Sequence, residues 1–198
     1  MGVIKTALEI ALEKTESIKS DKGSIDQFNR KQAGKKMANA FLSGDVDLSE
    51  ELKKIPENQR FSIKQGVFDV LITQITMPAI KDDQVRLEKT GLGLAILIEN
   101  SKNKKDFTAM FSQLIQLTGQ YLQELAHYDQ ALRQQYTPKL RKKEEELSRR
   151  VGREVKIDPM QDPEFIAFYN QNITALKGNY EPIVEQAREE AKRLFEGS

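Results

Sequence analysis

Glu124 and His127 are the two residues whose types and spacing come closest to a metal site. A Glu-x-x-His pair on a helix is half of the carboxylate-bridged di-iron pattern of four-helix bundles, because one helical turn points both side chains at a common metal. The other half requires a second histidine on a facing helix, and His127 is the only histidine in the chain. We therefore expect no metal site and interpret His127 as a residue flanking a helical seam.

Gly91 and Gly93 are spaced like the first two glycines of a dinucleotide-binding loop. Ile96 stands where the third glycine of that motif belongs, and the pattern lies inside an apolar run rather than between a strand and a helix. We interpret these glycines as positions of close helix packing. The chain also lacks a phosphate-binding loop and a serine in a recognisable strained turn, so the sequence predicts no catalytic residue, no cofactor and no enzyme.

The composition predicts a protein with almost no net charge and therefore without a strong overall electrostatic field. Lysine and arginine number 31 and aspartate and glutamate 30, so any attraction to nucleic acid or to an anionic membrane must be local. The absence of cysteine excludes disulfides and thiolate chemistry. The N-terminal residues carry glutamates in place of a signal peptide, and the longest apolar run, residues 91–98, is far shorter than the roughly 20 residues that span a bilayer. We expect a soluble, cytoplasmic protein with no membrane segment.

The N-terminal third of the chain predicts short helices. A first helix carries an apolar stripe, and "SDKGS" is expected to end it. Ser24 and Gln27 form a capping-box pattern that predicts the start of a second helix. A short connector helix is expected to end before Pro56. The first stripe consists of Ile4, Leu8, Ala11, Thr15 and Ile18, and the second helix is expected to bury Phe28, Met37, Phe41 and Leu42.

Two apolar segments are candidates for the central core. Residues 61–77 are rich in β-branched side chains, which leaves a buried strand open, but the length favours a helix ending at Pro78. Residues 81–103 predict another helix with an apolar second half. Together with the preceding segments they predict a small helical bundle over residues 1–101.

The C-terminal half predicts a long antiparallel helical hairpin over residues 102–198, either packing on the bundle, projecting from it or continuous with it. Apolar residues recur at steps of four and three, the period of a coiled-coil seam. Pro138 is expected to kink or interrupt the first arm, and the expected register places Leu147 near Ala167 and Tyr136 near Gly178. The overall prediction is an all-α fold. The seam comprises Phe107, Phe111, Leu114, Tyr121, Leu125, Tyr128 and Leu132 on the first arm and Tyr169, Ile173, Leu176, Tyr180 and Ile183 on the second.

The expected turn of the hairpin, within residues 139–165, is rich in basic residues. Gly152, Pro159 and Pro163 predict the change of direction. Two charge rows at four-residue spacing predict ion pairs that neutralise part of the basic charge. The rows are Arg141, Glu145 and Arg149, and Lys142, Glu146 and Arg150, which leaves Lys139, Lys143, Arg153 and Lys156 as the expected unpaired cations.

The N-terminal segments "IKTALEIALEKTESIKSDKG" and "KKMANAFL" resemble the start of small bacterial proteins in an uncharacterised family, a domain of unknown function. The resemblance covers about the first 45 residues. It implies a bacterial cytoplasmic protein and carries no activity or functional residue.

These observations leave three functional hypotheses open. The first is a non-enzymatic interaction or scaffold protein that uses the hairpin seam to form a homo-oligomer or to bind a protein partner. The second is association with RNA or the ribosome through the basic tip. The third is an enzyme or small-ligand binder that uses the apolar segments 67–77 and 92–98. The candidate residues of the tip are Lys139, Lys143, Arg149, Arg150, Arg153 and Lys156.

Overall fold

The computed structural model describes the backbone of residues 7–197 and the side chains of residues 23–197. The described chain contains helices and no strand, which confirms the all-α prediction. It divides into two compact units, the first formed by Met1–Gln74 and Lys89–Glu99 and the second by Ile75–Glu88 and Asn100–Ser198. The second unit is therefore discontinuous in sequence, because Ile75–Glu88 belongs to it as well. The helices are α1 (Ala7–Ser43), α2 (Leu48–Lys53), α3 (Glu57–Thr73), α4 (Lys81–Leu97), α5 (Ser101–Val151) and α6 (Pro163–Glu196).

Helix α1 is a single helix of 37 residues, so the predicted break at "SDKGS" is wrong. Gly23 lowers helix stability by about 1 kcal/mol relative to alanine, but no proline accompanies it, and a lone glycine does not stop a helix. Ser24 consequently lies within α1 rather than at its start. The predicted stripe from Ile4 to Ile18 lies outside the described side chains.

The buried face of α1 differs from the predicted one. Phe28 is 60% exposed, so its predicted burial is wrong. Met37, Phe41 and Leu42 are only partly buried, because the residues of α1 that pack most closely are small. Those residues are Gly34 and Ala38.

Helices α1 and α3 pack through two glycines that allow their backbones to touch. A Cβ atom built on Gly34 would lie 2.1 Å from the carbonyl oxygen of Ile63 on α3. A Cβ atom built on Gly66 would lie 2.1 Å from the carbonyl oxygen of Lys31 on α1. Contacts this short leave room only for a Cα–H group against a carbonyl oxygen, the weak hydrogen bond found at close helix crossings. Glycine is therefore required at both positions.

Helix α3 confirms the helical interpretation of the apolar segment before Pro78, although it ends at Thr73 rather than at Met77. Pro78 disfavours helical geometry at the residue before it, and Ile75 is fully buried in the non-helical connection. In the first unit, a Cβ atom on Gly93 would lie 2.7 Å from Phe41 and 2.8 Å from Leu71, which supports the predicted close packing at this glycine.

Helix α5 is 51 residues long, about 76 Å at 1.5 Å per residue, and it continues through Pro138. The expected interruption is therefore wrong. Pro138 and Gln134 are both exposed, so water can satisfy the carbonyl that loses its helical partner. The Thr137 hydroxyl also donates a hydrogen bond of 2.8 Å to the Arg133 carbonyl in the same turn. Pro182 likewise lies inside the continuous α6.

Helices α5 and α6 form the predicted antiparallel hairpin in a different register. Tyr136 packs against Phe165, with ring centroids 5.1 Å apart, so the expected pairing of Tyr136 with Gly178 is wrong. Farther from the turn, Tyr121 packs against Tyr180 at 5.2 Å. In this register Pro138 lies towards the turn, near the Tyr136–Phe165 contact, and Pro182 lies towards the other end, near the Tyr121–Tyr180 contact.

The register differs because the connection runs back along α5 before α6 begins. The Val155 amide donates to the Ser148 hydroxyl at 2.9 Å, and the Ile157 amide donates to the Glu144 carboxylate at 2.9 Å. A non-helical chain covers up to about twice the length of a helix per residue, so a short connection spans several turns of α5.

The residues predicted to reverse the chain do so. Gly152 ends α5 in the left-handed conformation with φ of 72°. Pro159 opens a single turn of 3-10 helix, and Pro163 is the first residue of α6 after the N-cap Asp162.

Residues Ile75–Glu88 cover one side of the hairpin within the second unit. The Gln84 amide donates to the Ile115 carbonyl of α5 at 3.3 Å, and it lies 3.0 Å from the position of a Cβ atom on Gly119. The Arg188 guanidinium of α6 donates to the Ile75 carbonyl at 2.7 Å. One face of the two long helices is thereby occupied.

Candidate interaction surfaces

The Glu-x-x-His pair forms a different contact from a metal site. The phenol of Tyr180 is hydrogen-bonded to Glu124, and this bond is the main cause that raises the pKa of Tyr180. His127 is exposed. Among the residues with described side chains, no group of three or more potential ligands is placed to hold a metal ion. None of the described helices combines the length and apolar composition that crossing a membrane requires.

Most of the predicted seam residues are buried or partly buried, but two are exposed. Tyr128 is 43% exposed and Ile183 is 44% exposed, so the burial expected of a seam residue is not found at these two positions. Ile183 precedes Val184, which is buried, and adjacent residues on a helix point about 100° apart. Of the rest, Phe107, Phe111, Leu114, Tyr121, Leu132 and Leu176 are buried, whereas Leu125, Tyr169, Ile173 and Tyr180 are partly buried.

Lys143, expected to be an unpaired cation of the tip, is instead the centre of an ion-pair network. Its ammonium group donates to the Asp162 carboxylate at 2.6 Å and lies 2.9 Å from the Glu164 carboxylate. Asp162 is only 4% exposed and also caps α6 by accepting a hydrogen bond from the Glu164 amide at 2.9 Å. One carboxylate thus joins the end of the turn, the start of α6 and the side of α5.

Lys139 and Lys156 are paired as well, so the prediction that they are unpaired is wrong. Lys139 lies 2.8 Å from Glu164, and Lys156 lies 3.3 Å from Glu154 and 3.9 Å from Glu144. The hydrogen bonds from Lys139 and then from Lys143 lower the pKa of Glu164 to about 2. Hydrogen bonds to Asp162 and then Glu164 raise the pKa of Lys143.

An aromatic cluster lies beneath this network. Tyr136 packs on Phe165 and, at 6.0 Å, on Phe168, while Phe165 packs on Tyr169 at 5.6 Å. The Arg133 guanidinium lies 5.9 Å from the centre of the Phe165 ring. Tyr136 and Phe165 are buried, so these rings form the packed interior of the turn.

Within residues 139–156, the cations left without an ion pair to a described residue are Arg141, Lys142, Arg150 and Arg153. Of the two predicted charge rows, only Arg149 and Glu145 are in contact, at 4.0 Å. The other predicted row contacts are wrong, as is the prediction that Arg141, Lys142 and Arg150 are neutralised. Arg153 is unpaired, as predicted. We call Arg141, Lys142, Arg149, Arg150 and Arg153 the outer tip.

The opposite end of the hairpin carries a groove of about 650 Å³, which we call the base groove. Leu114 and Ala187 are buried in its floor, and the exposed part of Ile183 opens into it. Glu189 and Glu190 line it on α6, and Glu190 accepts a hydrogen bond of 2.8 Å from Arg193. The remaining lining residues are Met110, Gln113, Leu117 and Gln186.

The base groove was not predicted from the sequence, although a signal exists. Met110 and Leu117 are seven residues apart and flank the seam residues Phe111 and Leu114. They form a second apolar stripe beside the seam, more than a two-helix contact needs. A surplus stripe of this kind indicates a surface for a further helix.

Comparisons with known proteins place the chain in a family without assigning an activity. A family model described as a family of unknown function (DUF6657) matches residues 49–193, so the chain belongs to that family. The expectation of an uncharacterised family is confirmed, but the match spans residues 49–193 and lies outside the first 45 residues, on which the resemblance was based. Searches of curated proteins and of solved structures found no match.

Proposed function

We propose that this member of the family is a non-enzymatic helical interaction protein that binds a helix of another polypeptide in its base groove. The observation that supports this function is the groove itself, an open and mainly apolar depression lined by residues of both α5 and α6. Binding of an amphipathic helix in such a groove is a common mode of peptide recognition. The proposal includes that the protein is bacterial and cytoplasmic and that the two arms of the hairpin pair as a coiled coil.

The chemistry of the groove favours an apolar helix over a small polar substrate. Ile183 leaves 44% of its surface exposed, and Met110 and Leu117 are partly exposed beside it. Covering an aliphatic side chain completely contributes about 1.5–3 kcal/mol relative to leaving it exposed. The polar groups of the rim, Glu190 and Arg193, are already paired with each other, which suits the edge of an interface.

A site-specific photo-crosslinking experiment tests this function. A photoreactive amino acid is placed at Leu117 or Ile183 in cells expressing the full chain, and the matched control carries it at Thr108. Thr108 is exposed on α5 but lies outside the groove. We expect protein adducts at Leu117 and Ile183 and none at Thr108. Equal adduct yields at all three positions, or none, would contradict an interface in the groove.

The second candidate function is binding of RNA by the outer tip. It is supported by Arg141, Lys142, Arg150 and Arg153, which have no ion pair among the described residues and are exposed. Phosphate contacts of this kind release counterions, so affinity falls steeply with salt concentration.

The test of this candidate compares two double variants in an RNA-binding titration at several salt concentrations. Arg150→Glu with Arg153→Glu is expected to abolish binding, whereas Lys139→Gln with Lys143→Gln removes cations that are already paired and leaves most of it. Binding that does not change with salt would exclude the phosphate-contact mechanism.

A further inference from the structure

The two long helices of the second unit have one occupied face and one open face. Gln84 contacts the Ile115 carbonyl and approaches Gly119 on the occupied face of α5. The base groove is lined by Gln113 and Leu117, each two residues from Ile115, which on a helix means about 200° around the axis. The groove therefore opens on the side of α5 that faces away from Ile75–Glu88.

The open face of α5 continues from the base groove to the outer tip. Residues 18 positions apart lie about five turns apart on the same side of a helix. Tyr128 follows Met110 by 18 positions. Ala131 follows Gln113 by 18 positions, and Arg149 follows Ala131 by another 18. Tyr128 is 43% exposed, and Ala131 and Arg149 are exposed. One continuous stripe thus joins the groove, a small residue halfway along and the basic tip.

The turn does not cover this stripe at the tip. Its contacts to α5 are made with Lys143, Glu144 and Ser148. Lys142 and Arg149, one residue away on the other side of α5, are exposed. The stripe is consequently open over its whole length within the second unit.

Opposite charges lie at the two ends of the stripe. Glu189 in the base groove has no ion pair among the described residues; at the tip Lys142 has none either, and Arg149 has only a 4.0 Å contact with Glu145. A stripe that is acidic at one end and basic at the other is complementary to a copy of itself running in the opposite direction. A parallel copy would place like charges together, which is unfavourable.

We propose that the partner in the base groove is a second copy of this chain, bound antiparallel along the open stripe of α5, so that each outer tip lies in the other copy's groove. This inference rests on the proposed function and names its partner. The two-fold axis passes near Ala131, midway between Gln113 and Arg149, where a small side chain allows close approach. The aliphatic stems of Lys142 and Arg149 cover the apolar groove while their charged ends reach its acidic rim. A two-fold interface of this kind forms a closed dimer, because the same surface of each copy is used up by the other.

The length of the stripe is sufficient for a stable contact. From Gln113 to Arg149 the helix rises about 54 Å at 1.5 Å per residue. A strip of that length and the width of one helix buries about 600 Å² on each copy, or about 1,200 Å² in total, the lower end of the range for specific interfaces. The dimer is therefore reversible and depends on concentration.

The oligomeric state of the full chain is measured by sedimentation velocity from about 1 to 100 µM, a range that spans the affinities of small reversible interfaces. We expect a monomer–dimer equilibrium in the unchanged protein. Ala131→Arg places two like charges face to face at the axis and raises Kd by about 100-fold. Ala126→Arg is the matched control, because Ala126 is exposed and lies about 140° around α5 from Ala131, and its Kd stays unchanged.

Charge reversal tests the direction of the pairing. Arg149→Glu and Glu189→Arg are each expected to raise Kd by about tenfold, since every change occurs twice in the dimer. The chain carrying both changes is expected to recover the original Kd within about threefold. Additive weakening in the double variant would overturn the antiparallel register, and circular dichroism confirms that each variant remains helical.

The outcomes separate this inference from the proposed function. A chain that stays monomeric at about 100 µM, but forms groove adducts with a different protein, overturns the second copy as partner and leaves the interaction function standing. A monomer without groove adducts overturns both. Groove adducts at twice the mass of the chain, lost in Ala131→Arg and kept in Ala126→Arg, support both.

Discussion

The packing of α1 on α3 and the packing of α6 on the end of α5 represent two different ways of fixing a pair of helices. The first depends on Gly34 and Gly66, whose missing side chains let the two backbones touch. The second depends on Lys143, Asp162 and Glu164, whose charges join the turn to both helices. The first contact depends mainly on shape, with one long ion pair of 3.9 Å between Lys31 and Asp69, and is expected to respond weakly to pH and salt. The second is expected to respond more strongly to both, because its bonds are made by ionised groups, of which Lys143 and Glu164 contact solvent.

The largest expected effect comes from adding one methyl group to the glycine contact. Gly34→Ala forces the backbones apart, because a Cβ atom would lie 2.1 Å from the Ile63 carbonyl oxygen. We expect a loss of about 3 kcal/mol in the free energy of unfolding, measured by urea denaturation. The matched control is Gly178→Ala in α6, where a Cβ atom has no neighbour within 4 Å. That change is expected to stabilise the protein by about 0.5–1 kcal/mol, and equal losses in both variants would contradict the shape argument.

Removing the carboxylate of Asp162 tests the charged contact. Asp162→Ala deletes the N-cap of α6 and the partner of Lys143, and we expect a loss of about 1–2 kcal/mol in the free energy of unfolding. Asp162→Asn keeps a capping oxygen and removes only the charge, so it is expected to lose less. If Asp162→Ala and Asp162→Asn lost the same free energy of unfolding, both in 0.1 M salt and in 1 M salt, the capping hydrogen bond would contribute nothing beyond the ion pair.

Acidification is expected to weaken the turn and spare the glycine contact. The pKa of Glu164 is about 2 in the folded protein, below the value of about 4.3 for an unperturbed glutamate, so its contribution to stability is complete above pH 5 and is lost as pH falls towards 2. We expect the protection factors of amides at the start of α6, which are corrected for the intrinsic pH dependence of exchange, to fall over this range before those in α3 do. In Lys139→Gln with Lys143→Gln the fall is expected to be smaller. An unchanged pH profile in that variant would show that other carboxylates control the transition.

The smallest expected effect comes from the cations of the outer tip that make no ion pair. Arg141→Gln with Lys142→Gln is expected to change the free energy of unfolding by less than about 0.5 kcal/mol, because neither residue has a described partner to lose. Thermal unfolding measures this difference. A loss as large as that of Asp162→Ala would mean that these residues belong to the structure of the turn and are not available for binding.

Local patterns in the sequence predicted the all-α class and the buried face of α5, but not the continuity of α1. The steps of four and three placed Phe107, Phe111 and Leu114 correctly on the buried face of α5, because burial on a helix face repeats with the turn of the helix. Gly152 and Pro163 marked the ends of the two long helices for equally local reasons. These predictions need no knowledge of which residues far apart in the sequence meet.

Features that depend on contacts distant in sequence were not predicted. Lys143 has acidic neighbours along α5, but its partners are Asp162 and Glu164 across the turn, and only the three-dimensional path of the connection reveals them. The register was wrong for the same reason. The glycine contact had one local signal, Gly34 followed by Ala38 four residues later, a spacing of small residues that allows close helix approach.

Asn103, near the start of α5, makes the contact that joins the far ends of the hairpin. Its side-chain amide donates to the carbonyl of Leu194 at 3.2 Å and to that of Gly197 at 3.0 Å, and so it satisfies the end of α6. These residues are 91 and 94 positions apart in the sequence, whereas Lys143 and Asp162 are 19 apart. The entropic cost of closing a loop rises with its length. Folding of the hairpin is therefore expected to begin at the turn and to proceed towards Asn103, whose hydrogen bonds to the end of α6 would form last.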